Sequence, residues 1–148
     1  MNFVVAYDGR ELSKAALARG AALAEGVDGR VLAVTIVPEK NGDYARERGW
    51  LDEDAAWDED AVVEALTDSV ADIAPTAAFT YRLVDKYAPR GTIGHTLRTM
   101  ATEEDIDVLV VGSENAGRVV TVLSSIAQSV AYGSYDLYIV RHPHETID

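Results

Sequence analysis

Apolar residues in this chain follow two rhythms that alternate along its length. Phe3–Tyr7 (FVVAY) and Arg30–Val37 (RVLAVTIV) are short runs rich in β-branched residues. Both are apolar on both faces, as strands covered by helices on two sides must be. Between them Leu12, Ala16, Gly20 and Leu23 recur at helical spacing, with the Asp8-Gly9 turn before and Gly26 and Asp28-Gly29 after. Val62, Leu66, Ser69, Val70 and Ile73 form the clearest helical stripe; Glu64, Asp68 and Asp72 lie off it and Pro75 ends it. Ala77–Val84 reads as a strand, and Gly91–Glu103 as a helix with Thr92 as its N-cap and Ile93, Leu97, Met100 and Ala101 on one face. Asp107–Val111 follows as a strand, Ser125–Tyr132 as a helix and Asp136–Arg141 as the last strand.

The order β-α-β-α-β-α-β-α-β predicts an α/β fold, an open and mostly parallel five-stranded sheet wound by helices on both faces, in one domain over residues 1–148. Ligands of such sheets bind beyond the carboxyl ends of the strands, which puts Tyr7-Asp8, Val37-Pro38 and Gly112-Ser113 on one rim. Glu39–Trp57 is long for a connection of this kind, and its two tryptophans and charged residues read either as a lid or as an irregular surface segment.

Composition narrows the partners. The net charge is −12, and Asp43–Asp72 alone holds eleven acids against Arg46 and Arg48. Such a field repels nucleic acid and anionic membrane. Its plain explanation is a solvated face in a salt-adapted protein, and the alternative is an acidic docking face for a basic partner or cation. Asp outnumbers Glu and only Lys14, Lys40 and Lys86 represent lysine, a bias expected of a halophilic source. There is no cysteine, which removes disulfides, thiolate metal sites and cysteine nucleophiles together. No apolar run approaches the ~18 residues of a membrane span, and the chain opens directly on a strand-like run without a basic leader, so a cytoplasmic protein is expected.

Candidate chemistry concentrates in Val108–Ala127, VLVVGSENAGRVVTVLSSIA. Here a buried-strand pattern breaks at Gly112, loosens through Asn115 and Gly117, and enters a helix through Ser124 and Ser125. Glycine lets backbone amides approach a phosphate, and serine hydroxyls with the unpaired N–H groups of a helix start add donors. The same residues also serve as ordinary turn chemistry, and Ser125 as a simple N-cap. A side chain at Gly112 is expected to point at the phosphate, so that Gly112→Val abolishes binding and leaves helix and strand content intact. Arg118 in the same loop offers a fork of donors for phosphate oxygens, against the plainer reading of a solvated charge.

At these residues the chain resembles the universal stress protein family. The likeness rests on VVAYDGRELSKAAL at Val4–Leu17, VTIVPE ending at Glu39, DVLVVGS at Asp107–Ser113 and LYIVRHP at Leu137–Pro143, and it runs over nearly the whole length. It implies a Rossmann-like sheet in the order 3-2-1-4-5, a homodimer through the last strand and, in one branch, ATP at the strand ends. That branch carries glycine, two residues, glycine, nine residues, then Gly-Ser or Gly-Thr. Gly112 matches the first, Asn115 stands at the second, and Ser124-Ser125 replaces the last pair one position early. The resemblance would give Asp8 and the backbone of Val37 to the adenine and ribose end and Gly112, Asn115, Ser124 and Ser125 to the phosphates, with Ala6, Tyr7, Val111, Gly117 and Ile126 as further cofactor-binding residues. For Asp8 the alternative is a turn residue bonding its own backbone.

The ligand implied is ATP or AMP, with or without magnesium, or none if a Cβ at Ser124 fills the phosphate space. Neither a Walker loop, a G-x-G-x-x-G after the first strand nor a G-x-S-x-G turn is present. His142 and His144 have no third ligand nearby in sequence, and His95 has no nucleophile partner at motif spacing. Two classes remain: an adenine-nucleotide-binding stress-response protein with at most slow ATP hydrolysis, and a homodimeric interaction module that binds no nucleotide.

Overall fold

The computed structural model describes residues 1–103, 105–113 and 135–143. Its elements are β1 (Asn2–Ala6), α1 (Glu11–Gly26), β2 (Arg30–Pro38), α2 (Gly42–Glu47), α3 (Glu59–Ile73), β3 (Ala78–Val84), α4 (Arg90–Glu103), β4 (Val108–Gly112) and β5 (Asp136–Val140). The strands form one sheet in the order β3-β2-β1-β4-β5. All four pairings are parallel, as the alternation of elements predicts.

Alternation along β1 builds two cores. Phe3, Val5 and Tyr7 face α1 and α3, packing with Leu17, Val62, Leu66 and Val70. Val4 and Ala6 face α4, packing with Val34, Ile36, Leu97, Met100 and Val111. The run is apolar throughout because both of its faces are covered. Gly20 lets α1 lie close on the sheet: a Cβ there would stand 2.9 Å from Val5 Cγ2.

Local details depart from the sequence pattern in four places. Leu23 is 41% exposed and Ala24 takes the buried position, so the stripe of α1 drifts by one residue at its end. Thr92 lies inside α4 rather than at its cap, and its carbonyl accepts a bond from Thr96 Oγ1 at 2.7 Å. Glu39–Trp57 contains a helix, α2, begun by Asn41, whose side chain accepts from the Tyr44 amide at 3.0 Å. Strands β4 and β5 are Val108–Gly112 and Asp136–Val140, each shifted or shortened by one residue. The expected helix Ser125–Tyr132 lies outside the described residues.

Candidate functional site at the carboxyl end of the sheet

β1 ends in Tyr7-Asp8-Gly9, and the turn fastens itself. The Arg10 amide donates to Asp8 Oδ1 at 3.0 Å and the Ser13 hydroxyl donates to the same oxygen at 2.8 Å. The Arg10 guanidinium holds Oδ2 through Nε at 3.1 Å and Nη2 at 3.0 Å. Burial is the largest single influence on the Asp8 carboxyl and opposes its charge. The Arg10 amide, the Ser13 hydroxyl and the Arg10 guanidinium together outweigh it and hold the pKa below its ordinary value. Asp8 therefore behaves as the turn residue of its plain reading, carrying an anchored carboxylate. Gly9 turns the chain at φ +86°, a conformation glycine adopts without strain.

Beside Asp8 lies a small cleft. Its walls are Ala6 of β1 with Tyr7 and Asp8, Val34 and Ile36 of β2, and Ile93 and Leu97 of α4. Tyr44 of α2 completes its lining among the described residues. The free volume is about 20 Å³, room for roughly one water, since a water needs ~10–15 Å³. Tyr7 itself is buried toward α3, its hydroxyl bonded to Ser69 Oγ, and burial pushes its pKa up. Thr35 Oγ1 donates to the Tyr7 carbonyl at 2.6 Å, tying the ends of β1 and β2 together.

The segment after β2 folds over this end of the sheet. Trp50 is buried, and its indole N–H donates to the Asp8 carbonyl at 2.9 Å. The Tyr44 ring lies 5.6 Å from the Trp50 ring at a tilt of 56°. The Arg48 guanidinium sits 3.6 Å from the centroid of Tyr44. The Arg48 side chain is only 7% exposed, and its Nε has no hydrogen-bond partner. Its nearest acid is the exposed Glu47, 3.8 Å away. A desolvated cation over an aromatic ring stabilises by about 2 kcal/mol, while a buried unsatisfied donor costs about 1–3 kcal/mol. The two terms nearly cancel. Glu39–Trp57 thus packs onto the end of the sheet through α2 and Trp50.

The sequence-derived residues are distributed as follows. Ala6, Tyr7 and Asp8 meet at the cleft. The Val37 side chain is buried in the opposite core, and its neighbour Ile36 faces the cleft. Val111 packs with Ala6 on the α4 side. Gly112 corrects one expectation: a Cβ there would meet Leu12 Cβ at 2.9 Å and the Leu12 backbone at 3.0 Å, so a side chain at this position would point at α1 and not toward a phosphate. Asn115, Gly117, Arg118, Ser124, Ser125 and Ile126 lie outside the described residues, as does His144. Sequence reasoning missed Arg10, Ser13, Tyr44, Arg48 and Trp50. Only Ser13, one helical turn inside the start of α1, carried a local signal. Among the described residues no group of three or more His, Cys, Asp or Glu side chains assembles to hold a metal.

Comparison with known proteins bears on this geometry. The profile of the universal stress protein family matches residues 1–141. The chain belongs to the universal stress protein family. No curated protein sequence matches it. Among solved structures, a universal stress protein in complex with cAMP is 23% identical, with a TM-score of 0.55, over 95% of this chain and 97% of that one. The family member UspA from Lactobacillus plantarum is 17% identical with a TM-score of 0.55, over 95% and 97%. A universal stress protein from Archaeoglobus fulgidus in complex with dAMP is 17% identical with a TM-score of 0.50, over 95% and 98%. At these identities the likeness is one of fold, and the parallel sheet in the order 3-2-1-4-5 is that of the family.

Proposed function

We propose that the chain binds an adenine nucleotide, ATP or AMP, at the carboxyl rim of its sheet and acts in a stress response. One observation carries this reading: an apolar cleft between β1, β2 and α4 with the anchored Asp8 carboxylate at its edge. A nucleobase has that character, flat and apolar on its faces and polar around its rim. The cAMP and dAMP complexes of family members support the choice of ligand. Asp8 and the Val37 backbone then belong to the base and ribose end. The family likeness assigns the Gly112 backbone, with Asn115, Ser124 and Ser125, to the phosphates. The Asp8 carboxylate is committed to Arg10 and Ser13, so it orients and does not abstract a proton, and any hydrolysis is slow.

Thermal unfolding with millimolar ATP, ADP, AMP and cAMP tests the reading. A ligand at a hundred times its dissociation constant stabilises by about 2.7 kcal/mol, a rise of roughly 5–10 °C for a domain of this size. Absence of a shift with all four in a folded sample favours the second reading, a homodimeric module without nucleotide. That reading draws on β5, where Tyr138 and Ile139 are 41% and 38% exposed on a strand paired only with β4 among the described residues. We place this function in the cytoplasm; among the described residues no helix is long and apolar enough to cross a membrane.

A further inference from the structure

The cleft beside Asp8 is too small for the ligand its walls suit. Small-molecule pockets run to roughly 300 Å³ and above, whereas the free volume here is about 20 Å³. Ala6, Val34, Ile36 and Leu97 belong to β1, β2 and α4, the regular elements that form the two-sided core. Among the described lining residues, Tyr44 alone comes from the segment that crosses above the sheet end. That segment is held at three points: the Tyr44 ring under Arg48, the Tyr44 ring against Trp50, and the Trp50 indole on the Asp8 carbonyl. Closure is thus specific, and it leaves the Nε of a buried guanidinium without a partner.

We propose, taking the adenine nucleotide argued above as ligand, that Tyr44 is the residue that sets affinity at this site. Its ring fills the slot that the base must enter, and Arg48 and Trp50 hold it there. Binding then requires the 39–57 segment to lift, breaking the Trp50–Asp8 bond. The apparent dissociation constant is the intrinsic one divided by the fraction of molecules in the lifted state. A change that empties the slot, or frees the ring to leave it, raises affinity, the reverse of what a ring stacked on the base would do.

The experiment compares the full chain with Tyr44→Ala and Arg48→Met. AMP binding is followed by calorimetry, and binding of benzimidazole, a neutral flat ring of purine shape, by ligand-observed NMR. Both variants are expected to tighten AMP at least fivefold. Benzimidazole is expected to bind Tyr44→Ala and not the parent. Arg48→Met keeps the ring and so tests the gate even if Tyr44→Ala does not fold. AMP binding by the parent that is unchanged or weakened in the variants overturns the gate and leaves the nucleotide reading standing. Benzimidazole binding to Tyr44→Ala, with no AMP binding to any form, overturns the nucleotide reading and retains the gate. If no form binds either probe, both fall.

Discussion

At the scale of single residues, the Asp8 turn makes the sharpest demand on the chain. Its carboxyl is held below its ordinary pKa by donors that outweigh burial. The stability this contributes is present above the unfolded value, about 3.9, and is lost as pH falls through the depressed folded value. Asp8→Asn should cost about 1–3 kcal/mol at neutral pH, because it weakens charge-assisted bonds to Arg10 and Ser13. In urea melts the gap from the parent should close as pH falls below about 4; a gap that persists at lower pH removes the carboxylate from the account. Gly112→Val should lower stability by about 1–3 kcal/mol through overpacking against Leu12, in melts without any nucleotide. Equal melting of variant and parent contradicts that. The Asp8-Gly9 turn was legible in the sequence because turn chemistry is local. The role of Gly112 was not, since nothing near it in sequence announces that Leu12 lies against its α-carbon.

Elements were legible in proportion to their length and periodicity. α3 repeats Val62, Leu66 and Val70 over four turns and buries all three, so its pattern states its packing. Leu66→Ala should cost about 2–5 kcal/mol in chemical denaturation; a loss under 1 kcal/mol would place Leu66 outside the core. α2 has six residues and one buried alanine, too few for a period to show. Its start signal, Asn41 before Gly42-Asp43, is as common in turns as in helices. The contact that gives the segment its meaning joins Trp50 to Asp8 across forty-two positions. Trp50→Phe keeps most of the apolar burial and removes that bond, at a cost of about 1 kcal/mol. Amides of residues 42–50 should then exchange faster while those of α3 do not. Uniform acceleration in both elements would show that the segment does not open separately.

For the whole molecule, charge and edges dominate. The excess of acid over residues 43–72 lies on the segment after β2 and on α3, where like charges repel at low ionic strength. We expect the melting temperature to rise between 0.1 M and 2 M KCl, beyond the Debye screening already present at about 0.1 M. A flat response removes the argument for a salt-adapted origin. We further propose that β5 pairs with β5 of a second copy. Exposed Tyr138 and Ile139 lie on an edge strand, and native proteins seldom leave such an edge bare. Ile139→Lys should convert a dimer to a monomer in sedimentation at high salt. A parent already monomeric at tens of micromolar disposes of the idea. The alternation of strands and helices announced the sheet, whereas the segment packed over its end depends on side chains that meet only after folding.

The indole of Trp50 has an optical consequence. A buried ring whose N–H is committed to a carbonyl emits at shorter wavelength than one in water, and the other tryptophan, Trp57, is half-exposed. In a Trp57→Phe background the chain therefore carries a single tryptophan, seated on the carbonyl of Asp8 just beyond β1. Its emission maximum would report, without any label, the lifting of the 39–57 segment proposed above.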